Sequence, residues 1–296
     1  MIKIGRDQKV YQMSKENQPV AKVAPGSVVE FETYDAFQNQ ITSPDHEINE
    51  LNWDTINPAT GPIYVEGAEV GDLLKVEIKG IQVADQGVMA AIPNAGLLGD
   101  KVEQAEIKIV PIKDNLVHFN DEITFPINPM IGVIGVAPPG AAIPCGTPDS
   151  HGGNMDNKMI TANTTLYFPV FTEGALLAMG DLHAAMGDGE IMVTGVEVSG
   201  KVTVQVDVIK NQKINYPILE TASHYYVLAS HKDLLEATKL ATLEMQRIVM
   251  DRLGLSFNEA GMLLSSVGDA EICQVVDPLL TIRFGVSKQL LKSLFE

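Results

Sequence analysis

Apolar residues alternate with polar ones over the first three quarters of the chain and recur every three to four positions beyond about residue 229. The first pattern predicts strands, the second helices. Leu73–Ile81 alternates most clearly, and Ser27–Thr33 is rich in β-branched and aromatic residues. Shorter strands are expected at Ile63–Glu66, Glu106–Pro111, Leu116–Phe119, Ile123–Pro126 and Thr164–Pro169, each bounded by Gly, Pro, Asn or Asp. Ile131–Ala137 is apolar throughout and reads as a buried strand, with Gly132 and Gly135 where backbone or ligand approaches closely. Ile191–Val198 and Lys201–Ile209 flank Ser199-Gly200, a spacing that predicts a β-hairpin. In its second strand the valines would face the core and Thr203, Gln205 and Asp207 the solvent.

Helical signals follow. Ser230 or Asp233 can cap a helix whose apolar face runs through Leu234, Ala241, Met245 and Val249 to Leu253, with Gly254 closing it. Ser256 and Glu259 have capping-box spacing ahead of a second helix, Asn258–Val267. Strands at Ala270–Val276 and Leu280–Phe284 and an amphipathic segment at Lys288–Phe295 complete the pattern. The expected class is α+β, mainly β: an antiparallel β-sandwich-like body over residues 1–225 that carries the metal site, with an α+β C-terminal part, 226–296, packed on it.

Composition narrows the function classes. The 296 residues carry a net charge of −17 and no basic patch, which argues against nucleic acid and anionic membranes. No apolar run is long enough to cross a bilayer. Met1–Arg6 alternates without an apolar signal core, so a cytoplasmic location is expected. Two cysteines, Cys145 and Cys273, are too few for a disulfide framework or a four-cysteine zinc site.

Candidate chemistry gathers in Gly180–Glu190. Asp181 and His183 are two apart, so on an extended strand they share a face, and a carboxylate beside an imidazole suits a divalent ion. Gly187-Asp188-Gly189 is a tight turn able to bring Glu190 back to that face. Asp149 and His151 repeat the spacing next to glycines. His46, between Asp45 and Glu47, lies in a long aperiodic loop, residues 35–60. Any one of these is commonplace: such pairs occur by chance, and a histidine among acids is often just surface. Together they suggest one or two ions held by His46, Asp149, His151, Asp181 and His183, with Glu190 as a further ligand or as the base. Zinc is the foremost candidate, with manganese, nickel or iron compatible and calcium possible at an oxygen-rich second site. His118, His224 and His231 read as structural, Cys273 as core, and Trp53 as pocket wall or packing.

Four stretches read together, Asn57–Ala68, Pro148–Asp156, Gly180–His183 with Gly187–Glu190, and Gly268-Asp269 with Ile272–Pro278, make the chain resemble the acetamidase/formamidase family from about residue 40 onward. The resemblance implies hydrolysis of a short-chain amide to carboxylate and ammonia by a metal-binding, β-rich subunit that forms a homodimer or higher homo-oligomer. Longer members of the family have extra segments. In such a site, attack by a metal-activated water is expected, with Glu190, Asp181 and His183 catalytic. The backbone N–H groups of Gly152 and Gly153 would face the oxyanion, and Asn154 would bind the substrate amide. Two alternatives stand beside this: nucleophilic attack by Cys145, six residues before His151, and a non-catalytic β-sandwich module holding a structural metal in a closed site. Ser150 has no nucleophile elbow around it.

Overall fold

The computed structural model describes residues 1–295. Two large sheets form the molecule. The first has nine strands in the order Ile2–Ile4, Val28–Thr33, Gly200–Ile209, Leu73–Val83, Thr165–Pro169, Ile218–Glu220, His224–His231, Leu280–Ser287, Asp269–Gln274. The second, of eleven strands, has at its centre Leu177–His183, paired antiparallel with Met130–Gly135, Ala59–Val65 and Glu197–Val198. One core cluster takes Phe31, Val76 and Val204 from the first sheet and Ile131, Met179 and Leu182 from the second, so the sheets pack face to face. Each fully buried Val, Ile or Leu contributes roughly 1.5–3 kcal/mol there. In Gly200–Ile209 the expected alternation holds: Val202, Val204 and Val206 are buried and Asp207 is exposed.

The expected hairpin at Ser199-Gly200 does not form. Glu197–Val198 belongs to the eleven-stranded sheet and Gly200–Ile209 to the nine-stranded one, so the chain crosses between layers at Ser199. Residues 191–196 are turns rather than strand, with Val193 at φ 70° and Ile191 exposed. The reason is chemical: this segment must turn Glu197 inward, against His183.

Helix α1 (Leu234–Leu253) is capped by Asp233, whose carboxylate accepts from the Glu236 N–H, and ends at Gly254 in the left-handed region. Helix α2 (Phe257–Val267) carries the full Ser256/Glu259 capping box. Ala241, Met245 and Val249 of α1 pack on Val227, Ala229, Ile282 and Phe284 of the nine-stranded sheet. The expected division at 225/226 falls inside the strand His224–His231. That strand joins the body's sheet to Leu280–Ser287 and Asp269–Gln274, so the C-terminal strands prolong a layer of the body.

Candidate active site

The Leu177–His183 strand is buried along its whole length and delivers two charged side chains into the interior. Asp181 sits at φ 52°, so the strand is not regularly extended there as its spacing suggested. Its Oδ1 nevertheless lies 3.4 Å from His183 Nε2. Around the same nitrogen stand Glu197 Oε1 at 3.2 Å and Asp156 Oδ1 and Glu190 Oε1, each at 3.8 Å. Asp156 and Glu190 also have positive φ, 37° and 48°. Such backbone costs about 1–3 kcal/mol per residue and clusters at functional sites.

Two glycines make the room. Gly132 faces Asp181 across the strand pair, and a Cβ on it would lie 2.4 Å from Asp156 Oδ1 and 2.6 Å from Asp181 Oδ2. A Cβ on Gly195 would lie 2.6 Å from His183 Nδ1, and the Gly195 N–H donates to Glu197 Oε1 at 2.9 Å.

The last carboxylate comes from the C-terminal strands. Asp277 Oδ2 accepts from Asn154 Nδ2 at 2.9 Å, and the Asp277 N–H donates to Gln274 Oε1. The same strands fix the Gly187–Glu190 turn. Arg283, buried, grips both oxygens of Asp188 at 2.7 and 2.8 Å, reaches Asn157 Oδ1 at 3.1 Å and pairs with Glu271. The Gly189 N–H donates to the Cys273 carbonyl at 2.7 Å. The residues beside Asp156 and Glu190 are therefore tied to the C-terminal strands.

Four carboxylates around one imidazole, with Asp277 a fifth beside Asp156 and Asp181, are an unbalanced charge in a buried place. Burial, with Glu190 and Asp181 nearby, pushes Asp156 well above the usual carboxylate range. Burial raises Glu190 likewise, against the pull of His183, and lifts Glu197 to about 8. Asp277 is raised by burial and by Asp156 and Asp181. Burial works against charge on Asp181 and His183 as well. At His183 the nearby Glu197 and Asp181 overcome this and raise its proton affinity, and at Asp181 the nearby His183 overcomes it and lowers the carboxyl below its usual range. Both Asp156 oxygens, Asp181 Oδ1, Glu197 Oε2 and Asn154 Oδ1 are buried without a hydrogen-bond partner. Orphaned acceptors at this density call for a cation. Asp156, His183 and Glu190 form one set of converging donors and Asp181, His183 and Glu197 another. Two donors each about 2.1 Å from a tetrahedral ion are roughly 3.4 Å apart, near the separations seen around His183 Nε2. The residues fit a divalent metal ion.

The cluster opens on a cavity of ≈ 550 Å³ whose lining includes Asn154, Asp181, Glu190, Glu197 and Asp277. A family model described as the acetamidase/formamidase family matches residues 12–145 and 140–237. The chain belongs to the acetamidase/formamidase family. A formamidase of Methylophilus methylotrophus is 28% identical over 258 residues, covering 67% of this chain and 63% of that protein. The chain thus spans under two thirds of the length of that curated relative. The crystal structure of an acetamidase from Bacillus halodurans superposes with a TM-score of 0.97 at 45% identity, covering 99% of both chains. That of a recombinant predicted acetamidase/formamidase from Thermoanaerobacter tengcongensis does so with 0.97 at 47%, covering 98% and 97%.

Among the ligands expected for a family member, the structure brings together Asp181, His183 and Glu190. It places His46, Asp149 and His151 in neither donor set. The Asp149 carboxylate accepts from the Ser150 N–H, and His151 is fully buried, with burial lowering its pKa to about 4. The Gly152 N–H donates to the Asp149 carbonyl at 3.0 Å, which removes it from the oxyanion role expected of it. Gly152 and Gly153 instead begin the short strand Gly152–Asn154, pressed against Met130–Gly135: a Cβ on Gly152 would lie 2.4 Å from Ile134 O and one on Gly153 2.5 Å from Thr147 O. Asn154 stands in the cavity wall with Oδ1 free.

Asp156, Glu197 and Asp277 are not among the site residues the sequence points to. Asp156 closes a motif already singled out. Glu197 has the look of an outward position in an alternating strand, and Asp277 that of an Asp-Pro turn. A carboxylate between two valines beside Gly195 was the available signal for Glu197.

Cys145 lies outside the cavity lining. Its side chain packs with Met13, Ala59, Val133 and Ala178, its thiol donates to the Val10 carbonyl, and burial pushes its pKa up to about 12. A thiol held protonated is a poor nucleophile. Cys145→Ala is expected to keep kcat/KM for any amide substrate within about twofold of the parent, as steady-state ammonia release will show, because no proton or bond at Sγ takes part.

Proposed function

We propose that the protein is a metal-dependent hydrolase of linear amides of the formamide and acetamide type: R–CO–NH2 + H2O → R–COO⁻ + NH4⁺. The observation that carries the reading is that two donor sets sharing His183 open onto a cavity beside an unpartnered Asn154 oxygen. Family membership and the activities named for its relatives support the reaction class. A divalent ion held there supplies Lewis acidity for the carbonyl and lowers the pKa of water to roughly 7.

The chain's own residues do the rest. His183 and Asp181 anchor the ion. Asp156, Glu190 and Glu197, the other members of the two donor sets, would complete its shell, and zinc is the proposed occupant. Carboxylate oxygens left over are the kind of donors calcium takes. Glu190, in the cavity wall and in one donor set, would take the proton of the attacking water and return it to the departing nitrogen. Asn154 Oδ1 accepts from the substrate N–H2, its own amide fixed by Asp277. Assembly as a homodimer or larger homo-oligomer belongs to the same reading: Phe257, Met262 and Val267 leave α2 with an exposed apolar surface that a second copy would cover.

The test measures metal content and ammonia release from formamide, acetamide and longer primary amides, before and after chelation and after adding zinc or calcium back. Bound metal, activity lost on stripping and regained on reloading are expected. Metal without ammonia from any amide would leave a structural-metal module, and full activity in metal-free protein would remove the ion from the reaction.

A further inference from the structure

We infer that the side-chain amide of Asn57 binds the carbonyl oxygen of the substrate and stabilises the negative charge that gathers there as water adds. This rests on the amide-hydrolase reading above and assigns a further catalytic residue to that same site.

The reaction calls for such a group. Attack of the water oxygen on the carbonyl carbon forms a C–O bond, sends a proton to Glu190 and moves the carbonyl π pair onto oxygen. When that pair returns, the C–N bond breaks; nitrogen keeps the bonding pair and takes the proton from Glu190. The carboxylic acid so formed gives its own proton to ammonia. A bound ion carries part of the charge on oxygen. A fixed N–H donor aimed at the same atom carries a further share. The Gly152 N–H is held by the Asp149 carbonyl and is not that donor.

Most side-chain donors of the cavity are already taken. Its lining includes Tyr11, Trp53, Asn57, Thr147, Asn154 and Thr194. The Tyr11 hydroxyl donates to Gln38, Asn154 Nδ2 to Asp277, and the Thr194 hydroxyl to the Ala90 carbonyl. Trp53 is 45% exposed, within reach of water. The Thr147 hydroxyl rotates, so its proton has no fixed direction. The Asn57 carboxamide has no hydrogen-bond partner among the described residues.

The Asn57 backbone, in contrast, is fixed. Its N–H donates to the Ala36 carbonyl at 2.7 Å. Its φ is 48°, a left-handed position that asparagine tolerates better than most residues. Pro58 is pressed on the strand that carries Asp181: a Cβ on Gly180 would lie 2.2 Å from the Pro58 carbonyl oxygen, and Ala59 pairs with Gly180. On the other side stands Gly146, where a Cβ would lie 3.1 Å from Asn57 Nδ2, so the bare backbone leaves the amide its room. Thr147, next in the chain, sets its carbonyl oxygen 2.5 Å from where a Cβ on Gly153 would be, beside Asn154. One run of backbone contacts thus links the two asparagines along the cavity wall. Asn154 Oδ1 takes the substrate N–H2 and Asn57 Nδ2 its oxygen.

The experiment compares Asn57→Gly and Thr147→Val with the parent, all loaded with zinc, by ammonia release from formamide, acetamide and thioacetamide. Glycine takes a positive φ freely, so the backbone is kept. Circular dichroism and metal analysis check the fold and the loading. In Asn57→Gly, kcat for acetamide is expected to fall by about a hundredfold to a thousandfold, the usual loss for one oxyanion donor, with metal content and KM close to the parent's. Sulfur is a weak acceptor, so the acetamide-to-thioacetamide ratio of kcat/KM is expected to drop about tenfold or more. Thr147→Val is expected to behave as the parent. An unchanged kcat in Asn57→Gly, a raised KM at unchanged kcat, metal lost together with the rate, an unmoved oxygen-to-sulfur ratio, or the loss arising in Thr147→Val instead overturns the inference, while ammonia from the parent keeps the hydrolase reading. No ammonia from formamide or acetamide in the parent overturns both.

Discussion

Gly132→Ala is expected to lower kcat/KM by at least about a thousandfold and to lower bound metal well below that of the parent. The added methyl carbon would lie 2.4 Å from Asp156 Oδ1 and 2.6 Å from Asp181 Oδ2, closer than any real contact. Neither carboxylate is the free end of a long side chain. Each sits on a left-handed backbone position, so neither can swing away without dragging its strand or turn. The two donor sets each lose a member, and catalysis that needs donors placed within about half an ångström fails. Overpacking also costs roughly 1–3 kcal/mol of stability, a loss small enough for the fold to survive. Metal analysis and ammonia release measure the effect. Gly140→Ala, where an added Cβ meets nothing within 4 Å, is the matched control and should behave as the parent.

The second large effect separates holding the ion from moving the proton. His183→Ala is expected to lose metal and activity together, because His183 is the one residue common to both donor sets. Glu190→Gln keeps a donor oxygen but cannot take a proton. It is expected to retain most of the metal while kcat falls by about a hundredfold to ten-thousandfold, the usual range for a lost general base. If Glu190→Gln loses its metal as completely as His183→Ala, Glu190 is a ligand first and the proton must move elsewhere. If His183→Ala keeps both its metal and its rate, the assignment of the centre fails.

Much of the fold could be read from local patterns because local physics decides them. The caps at Asp233, Gly254 and Ser256/Glu259 follow from unsatisfied backbone groups within a few residues. The valines of Gly200–Ile209 announce a buried face. Residues 191–196 mislead because the apolar side chains there line turns, and Glu197, in the short strand that follows, points inward to a histidine fourteen positions earlier. The same contrast runs through the site. Asp181, His183 and Glu190 could be picked out because they sit within ten positions of one another with glycines between. Asp156 and Asp277 reach the centre only through strand pairing across long stretches of chain, which no short window contains. His46 and His151 have the residue types of ligands, but neither stands in either donor set.

The grip of Arg283 on Asp188 and Asn157 has a consequence for the order in which the protein can become active during its synthesis. A nascent chain that has left the ribosome as far as residue 230 already possesses His183 and four of the five carboxylates, yet the turn bearing Glu190 has nothing to clamp it. Competence therefore arrives late, when the last two strands dock and bring Asp277 with them.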